Sequence, residues 1–112
     1  MAIQSVLIDI QDTELLAVPA GLRFAVTVIM VCNTATPDPL DETANSTNFD
    51  LHFVKQGDPI DDINKVINGV LLPAGETFTF DTEKIILDAG DRIIVNSDSP
   101  TVLSATVSFL EL

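Results

Sequence analysis

Apolar and polar residues alternate with a period of two along most of this chain, which is the pattern of strands that bury one face. The alternation is clearest in segments 6–10, 22–32, 49–53, 77–80 and 103–109. Shorter strands are predicted at 14–18, 66–72, 84–87 and 92–96. We find no helix of convincing length with apolar spacing near 3.6 residues. The pattern therefore predicts an all-β fold, an antiparallel β-sandwich or jelly roll of about eight strands, forming a single domain over residues 1–112.

A short phrase that ends in Ala-Gly occurs three times, as "VPAG" at 18–21, "LPAG" at 72–75 and "LDAG" at 87–90. Proline cannot donate a ladder hydrogen bond, so it stops the strand before it. Glycine can adopt a positive φ in a turn. Each phrase is therefore predicted to connect two strands. In the third copy, Asp88 is expected to bind the turn backbone through its side chain.

Residues 33–48, "NTATPDPLDETANSTN", break the alternation and predict a long polar loop. Loops of this length in compact domains are often functional. A second polar excursion, "QGDPIDDIN", covers 56–64.

The strand at 22–32 is apolar on both faces towards its far end. The even positions from Leu22 to Cys32 predict its buried face, and Ile29 and Val31 are apolar on the face that should meet water. A second layer or a neighbouring subunit is expected to cover them. With 46% hydrophobic residues in the chain, we predict a homo-oligomer built through strand faces and flanking loops. The predicted interface residues are Ile29, Val31, Pro37, Pro39, Leu40, Leu110 and Leu112.

The formal net charge is −12, from 17 acidic and 5 basic residues. Such a surface repels phosphate backbones, so no nucleic-acid partner is expected. No membrane partner is expected either, because the longest apolar stretch, 24–32, is too short to span a bilayer.

Catalytic chemistry is poorly supported by the residue types present. His52 is the only histidine and lies on the polar side of its strand, while Cys32, the only cysteine, has the apolar parity of its own. A Cys–His couple would need Cys32 exposed and activated. No hydrolase, zinc-protease or Cys-x-x-Cys spacing occurs. We therefore expect no enzyme activity and no cofactor.

The acidic loops suggest a calcium site, because hard cations bind several oxygens that converge from loops. The candidates are Asp58, Asp61 and Asp62 in one loop, and Asp38, Asp41 and Glu42 in another. Neither group has EF-hand spacing. A glycan-binding role lacks the exposed Trp or Tyr that usually stacks on a sugar, since the chain contains neither. A calcium-binding or host-glycan-binding module stays as the alternative function.

Three stretches together resemble small virion proteins of tailed bacteriophages, especially marine and cyanobacterial phages. They are Val18–Asn33, which contains "VPAG" and "VCN", Leu71–Ser97, which contains "LPAGETF" and "AGDRI", and Thr106–Leu112, which ends in "VSFLEL". The resemblance implies a non-enzymatic structural subunit in the virion, assembled in the host cytoplasm. It would be a capsid decoration protein, or alternatively a tail, neck or fibre component. The implied partners are major capsid or tail proteins and further copies of the chain, with a trimer expected.

Overall fold

The structure is a computed structural model that describes residues 2–41, 43–81, 85–100 and 102–112. Within these residues the chain forms nine strands and one short 3-10 turn at Asp62–Asn64. The strands are β1 (Ala2–Leu7), β2 (Thr13–Ala17), β3 (Phe24–Asn33), β4 (Thr47–Val54), β5 (Lys65–Leu72), β6 (Thr77–Phe80), β7 (Ile85–Leu87), β8 (Arg92–Ser97) and β9 (Leu103–Glu111). Across the same ranges, no helix has the length and apolar character needed to cross a membrane.

The strands form two antiparallel sheets. Sheet A has the order β1-β9-β3-β6, with β7 also paired to β3, and sheet B has the order β2-β8-β4-β5. With β6 and β7 counted as one interrupted strand, this is the order of an eight-stranded jelly roll. The predicted antiparallel all-β sandwich is therefore confirmed. The predicted strand at 84–87 is β7, although Lys84 itself lies outside the described residues.

The inner faces of the two sheets enclose the hydrophobic core. Leu15, Leu51 and Ile93 of sheet B and Val107 of sheet A are completely buried there. Phe49 of sheet B meets Phe78 of sheet A edge to face, with ring centroids 5.5 Å apart. Such packed aliphatic and aromatic side chains supply most of the stabilisation of a sandwich that has no disulfide.

All three Ala-Gly phrases form the predicted turns, and each one carries the chain from one sheet to the other. Gly21, Gly75 and Gly90 have φ values of 82°, 77° and 87°. In each turn a backbone N–H closes on the carbonyl three residues earlier, as in Leu22 N to Pro19 O at 3.2 Å. A positive φ at the third position is the requirement of a type II turn, which glycine meets without strain.

The expected role of Asp88 in the third turn is wrong. Its carboxylate accepts a hydrogen bond from Arg23 Nε at 2.8 Å. The carboxylate that binds the turn backbone belongs to Asp91, whose Oδ2 accepts from the Asp88 N–H at 2.9 Å.

A β-bulge in β3 overturns the expected exposure of Ile29 and Val31. The register with β9 shifts between Val26 and Val28. The extra residue, Thr27, exchanges the two faces of the strand from that point onward. Ile29 and Val31 are each only 1% exposed, so the opposite sheet covers them and they do not form the predicted interface. The residues that replace them on the outer face are Val28, Met30 and Cys32.

Candidate interaction surface

Among the residues that the structure describes, the outer face of sheet A carries no acidic or basic side chain. Cross-strand partners share a face, so the register of the strands identifies its members. One row across the sheet is Ser5, Thr106, Met30 and Thr79. The surface called face A below consists of Ile3, Ser5, Leu7, Ala25, Val28, Met30, Cys32, Thr77, Thr79, Ile86, Ser104, Thr106, Ser108 and Leu110.

The lack of charge on face A contrasts with the rest of the chain. The chain has 17 acidic residues, yet Glu111, at the end of β9, is the one charged residue in the five strands of sheet A. Covering a charged surface requires either ion pairing or costly desolvation. Face A can be covered by another protein without either cost.

Face A exposes large aliphatic side chains between hydroxyl groups. Met30, Ile86, Leu7 and Ile3 are 38, 44, 54 and 73% exposed. Some of the hydroxyls already bond within the face, as between Ser5 Oγ and Thr106 Oγ1 at 2.8 Å. Large exposed aliphatic side chains that share one uncharged face are a feature of protein interaction sites. Face A is therefore the candidate functional surface.

The outer face of sheet B is different because the chain covers it with the loop of residues 55–64. His52 and Ile94 point outward from this sheet, away from the core, yet each is 3% exposed. His52 Nδ1 lies 2.8 Å from Asn64 Oδ1 in the covering loop. Arg92 Nη2 donates to the carbonyl of Asp58 at 3.3 Å on the same side. The His52 side chain projects from the predicted side of β4, but it is buried by the loop, which the sequence pattern does not predict.

His52 and Cys32 lie on opposite faces of the sandwich and do not contact each other. His52 projects from the outer face of sheet B, whereas Cys32 projects from face A, and the core lies between them. His52 is the only histidine, and its Nδ1 contacts the side-chain oxygen of Asn64, which is not a nucleophile.

The acidic residues of the loop 55–64 organise the loop itself. Asp61 caps the 3-10 turn, with its Oδ1 accepting from Ile63 N at 2.9 Å. Asp62 Oδ1 lies 3.6 Å from Lys65 Nζ, which also approaches Asp50 at 3.6 Å. Among the described residues, no group of three or more His, Cys, Asp and Glu side chains could hold a metal ion. Asp58, Asp61 and Asp62 do not form such a group, and their role as calcium ligands stays a prediction.

The long loop between β3 and β4 also uses its acids for local turns. Asp38 Oδ1 accepts from Leu40 N at 2.9 Å. The Thr43 hydroxyl and the Thr43 backbone N–H both donate to Asp41, which lowers the pKa of its carboxyl below the ordinary value. These bonds favour the ionised carboxylate, although the side chain is fully exposed. Glu42, the third acid expected here, lies outside the described residues.

The other predicted interface residues lie in two places. Pro37 packs against the second Ala-Gly turn, where a Cβ on Gly75 would come within 2.8 Å of its Cγ. Pro39 and Leu40 form the tip of the long loop, and Leu40 is 95% exposed. Leu110 is a half-buried member of face A, and Leu112 is 63% exposed beyond the end of β9. Their role as interface residues stays a prediction.

No family model, curated protein or solved structure matches this chain.

Proposed function

We propose that this protein is a non-enzymatic structural subunit of a tailed-phage virion, which attaches to the particle through face A. The resemblance of three stretches to phage virion proteins supports the virion assignment. The observation that carries the proposal is the large uncharged face on a chain with a net charge of −12. Natural selection for solubility alone gives no reason to clear one face of charge while the loops are strongly acidic.

The area of face A limits the size of the interface that this face can form by itself. Sheet A has four strand positions about 4.8 Å apart, and strands that rise about 3.3 Å per residue, so its face covers on the order of 500 Å². A stable interface of standard size buries about 800 Å² on each partner. Face A therefore needs additional residues beyond its strands, such as Leu112 after the end of β9, or a second copy beside it.

Capsid decoration is the specific role that we propose. A decoration subunit stabilises a shell by adding buried area between neighbouring capsid proteins, and an uncharged flat face with hydroxyls and aliphatic side chains suits a broad protein surface. A jelly-roll fold by itself does not select this role, because the same fold carries many functions.

The test is quantitative mass spectrometry of gradient-purified phage particles from the virus that encodes this chain. Decoration predicts a copy number comparable to that of the major capsid protein. A few copies per particle would move the protein to the tail, neck or fibre. Absence of its peptides from purified particles would overturn the proposal.

A rebinding assay tests the surface. Particles stripped of the protein should bind the wild-type chain and should fail to bind Met30→Glu, which places a charge at the centre of face A. The matched control is Asn68→Glu, which adds the same charge at an exposed position on the outer face of sheet B. Equal loss of binding by the two variants would show that net charge, and not face A, controls attachment.

A further inference from the structure

Among the described strands, β1 forms an edge of sheet A that pairs on one side only and lacks the usual protection against further pairing. Proteins protect edge strands by making them short, by placing charges on them or by adding bulges. Here β2 carries Glu14 and a register shift, β5 carries Lys65 and two register shifts, and β6 and β7 have only 4 and 3 residues. Strand β1 has 6 residues, "AIQSVL", with no charge, no proline and an unbroken register with β9.

The free backbone groups of β1 can be assigned from the ladder. The N–H of Ile8 donates to Leu103 O at 2.8 Å, which continues the β1–β9 register by one pair. Hydrogen-bonded and non-hydrogen-bonded pairs alternate along an antiparallel ladder. The even residues therefore bond to β9, and the N–H and C=O groups of Ile3, Ser5 and Leu7 point to the open edge.

Strand β1 is also held firmly enough to act as a template. The Gln4 side chain turns inward, and its Nε2 donates to the carbonyl of Leu15 on β2 at 3.0 Å. This bond fixes the edge of sheet A to the edge of sheet B beneath it. The side chains of Ile3, Ser5 and Leu7 all lie on face A.

We propose that β1 pairs with β1 of a second copy, antiparallel and about a two-fold axis at Ser5. In this register Ser5 faces Ser5 of the second copy, and Ile3 faces Leu7 of the second copy. Two hydroxyls meet at the centre and two pairs of large aliphatic side chains meet on either side, so the edge is complementary to itself. The edge residues that pair carry no charge.

A second copy suits this edge better than a different protein for two reasons. Two chains of charge −12 repel each other over most of their surfaces, so they can approach closely only where charge is missing, as it is at β1. The pairing also joins the two copies of face A side by side, because antiparallel partners present the same face. The combined surface is on the order of 1,000 Å², which exceeds the standard share of about 800 Å² per partner. In this respect the inference rests on the proposed function, since it takes face A as the attachment surface.

Sedimentation equilibrium of the full chain tests the pairing. We expect the mass to rise reversibly with concentration from 12.0 kDa towards twice that value, and the dimer to strengthen as salt screens the repulsion between copies. Ser5→Pro removes an N–H that points to the open edge and should keep the chain monomeric while it remains folded by circular dichroism. The control is Leu71→Lys on the edge strand β5, an exposed site that should leave the dimer intact.

Disulfide trapping tests the register independently. In a Cys32→Ser background, Ser5→Cys should form a disulfide-linked dimer under mild oxidation. Ile3→Cys alone should not do so, but a mixture of Ile3→Cys and Leu7→Cys chains should.

Three outcomes overturn the inference: a monomer at every concentration and salt, a dimer that persists in Ser5→Pro, or a three-fold assembly. None of these three results contradicts the proposed function if mass spectrometry finds the chain in purified particles. If the chain forms the β1 dimer but is absent from purified particles, the proposed function is overturned and the dimer inference is not.

Discussion

Both outer faces of this sandwich carry apolar side chains, but the chain covers these side chains with its own loop on sheet B only. On sheet B, the loop 55–64 folds back over His52 and Ile94, so the chain buries its own surface. On sheet A, Met30, Leu7 and Ile3 stay partly exposed, and no charged side chain lies among the described residues of this face. The comparison teaches that apolar positions on an outer face have two meanings. They pack beneath a local loop, or they are available to bind another molecule. The positions of charged residues and loops distinguish these two cases.

The largest expected effect separates the two faces by stability. Ile94→Ala should lower the free energy of unfolding by about 2–5 kcal/mol, because it empties a buried site beneath the loop. Met30→Ala, on face A, should cost less than about 1 kcal/mol, because Met30 is already partly in water. Urea unfolding of both variants measures the difference. Equal losses would mean that the loop does not cover sheet B.

A smaller effect is expected at the contact that holds the loop in place. Asn64 Oδ1 lies 2.8 Å from His52 Nδ1, and Asn64 Nδ2 donates to Pro59 O at 2.8 Å. Asn64→Ala leaves a buried histidine without its partner and should cost about 1–3 kcal/mol. Asn68→Ala, at an exposed position on β5, provides the control and should change stability by less than about 0.5 kcal/mol. A neutral Asn64→Ala would contradict the role of this contact.

Gly57 tests the backbone of the same loop. Its φ is 83°, and a Cβ there would meet no atom within 4 Å, so only backbone strain opposes a side chain. Gly57→Ala should therefore cost about 1 kcal/mol. Gly57→Asn should cost less, because asparagine tolerates the left-handed region better. If thermal or urea unfolding ranks the two variants in the reverse order, strain is not the cause.

The smallest effect on folding is expected on face A, where the effect on binding is largest. Met30→Glu should change the free energy of unfolding by less than about 0.5 kcal/mol, since the side chain can reach water. The same variant should lose particle binding. A strongly destabilised Met30→Glu would mean that this position belongs to the packing of the free subunit.

The local rules in the sequence predicted much of the fold. Alternation identified most of the strands, and proline and glycine identified the turns, because both signals depend on neighbouring residues. The alternation at 6–10 predicts wrong bounds for the first strand. The strand is Ala2–Leu7, and Ile10 is 56% exposed beyond it.

Face A could not be predicted because it depends on contacts distant in sequence. The bulge at Thr27 arises where β3 pairs with β9, and Thr27 Oγ1 donates to Ser108 O at 3.0 Å, 81 residues away. Nothing in the segment 22–32 distinguishes a bulged from a regular strand. The burial of His52 likewise depends on the path of a loop, which alternation along β4 cannot report.

Cys32 allows a direct test of attachment through face A, because the only cysteine of the chain lies half-buried on that face. The rate at which a maleimide labels Cys32 is compared between the isolated protein and the protein on particles. A Cys32→Ser, Asn68→Cys variant reports on sheet B in the same way. Attachment through face A should slow labelling at position 32 by at least about tenfold, because the thiol is then covered, and should leave labelling at position 68 unchanged. Equal rates at Cys32 in the two states, or protection at position 68 alone, would contradict it.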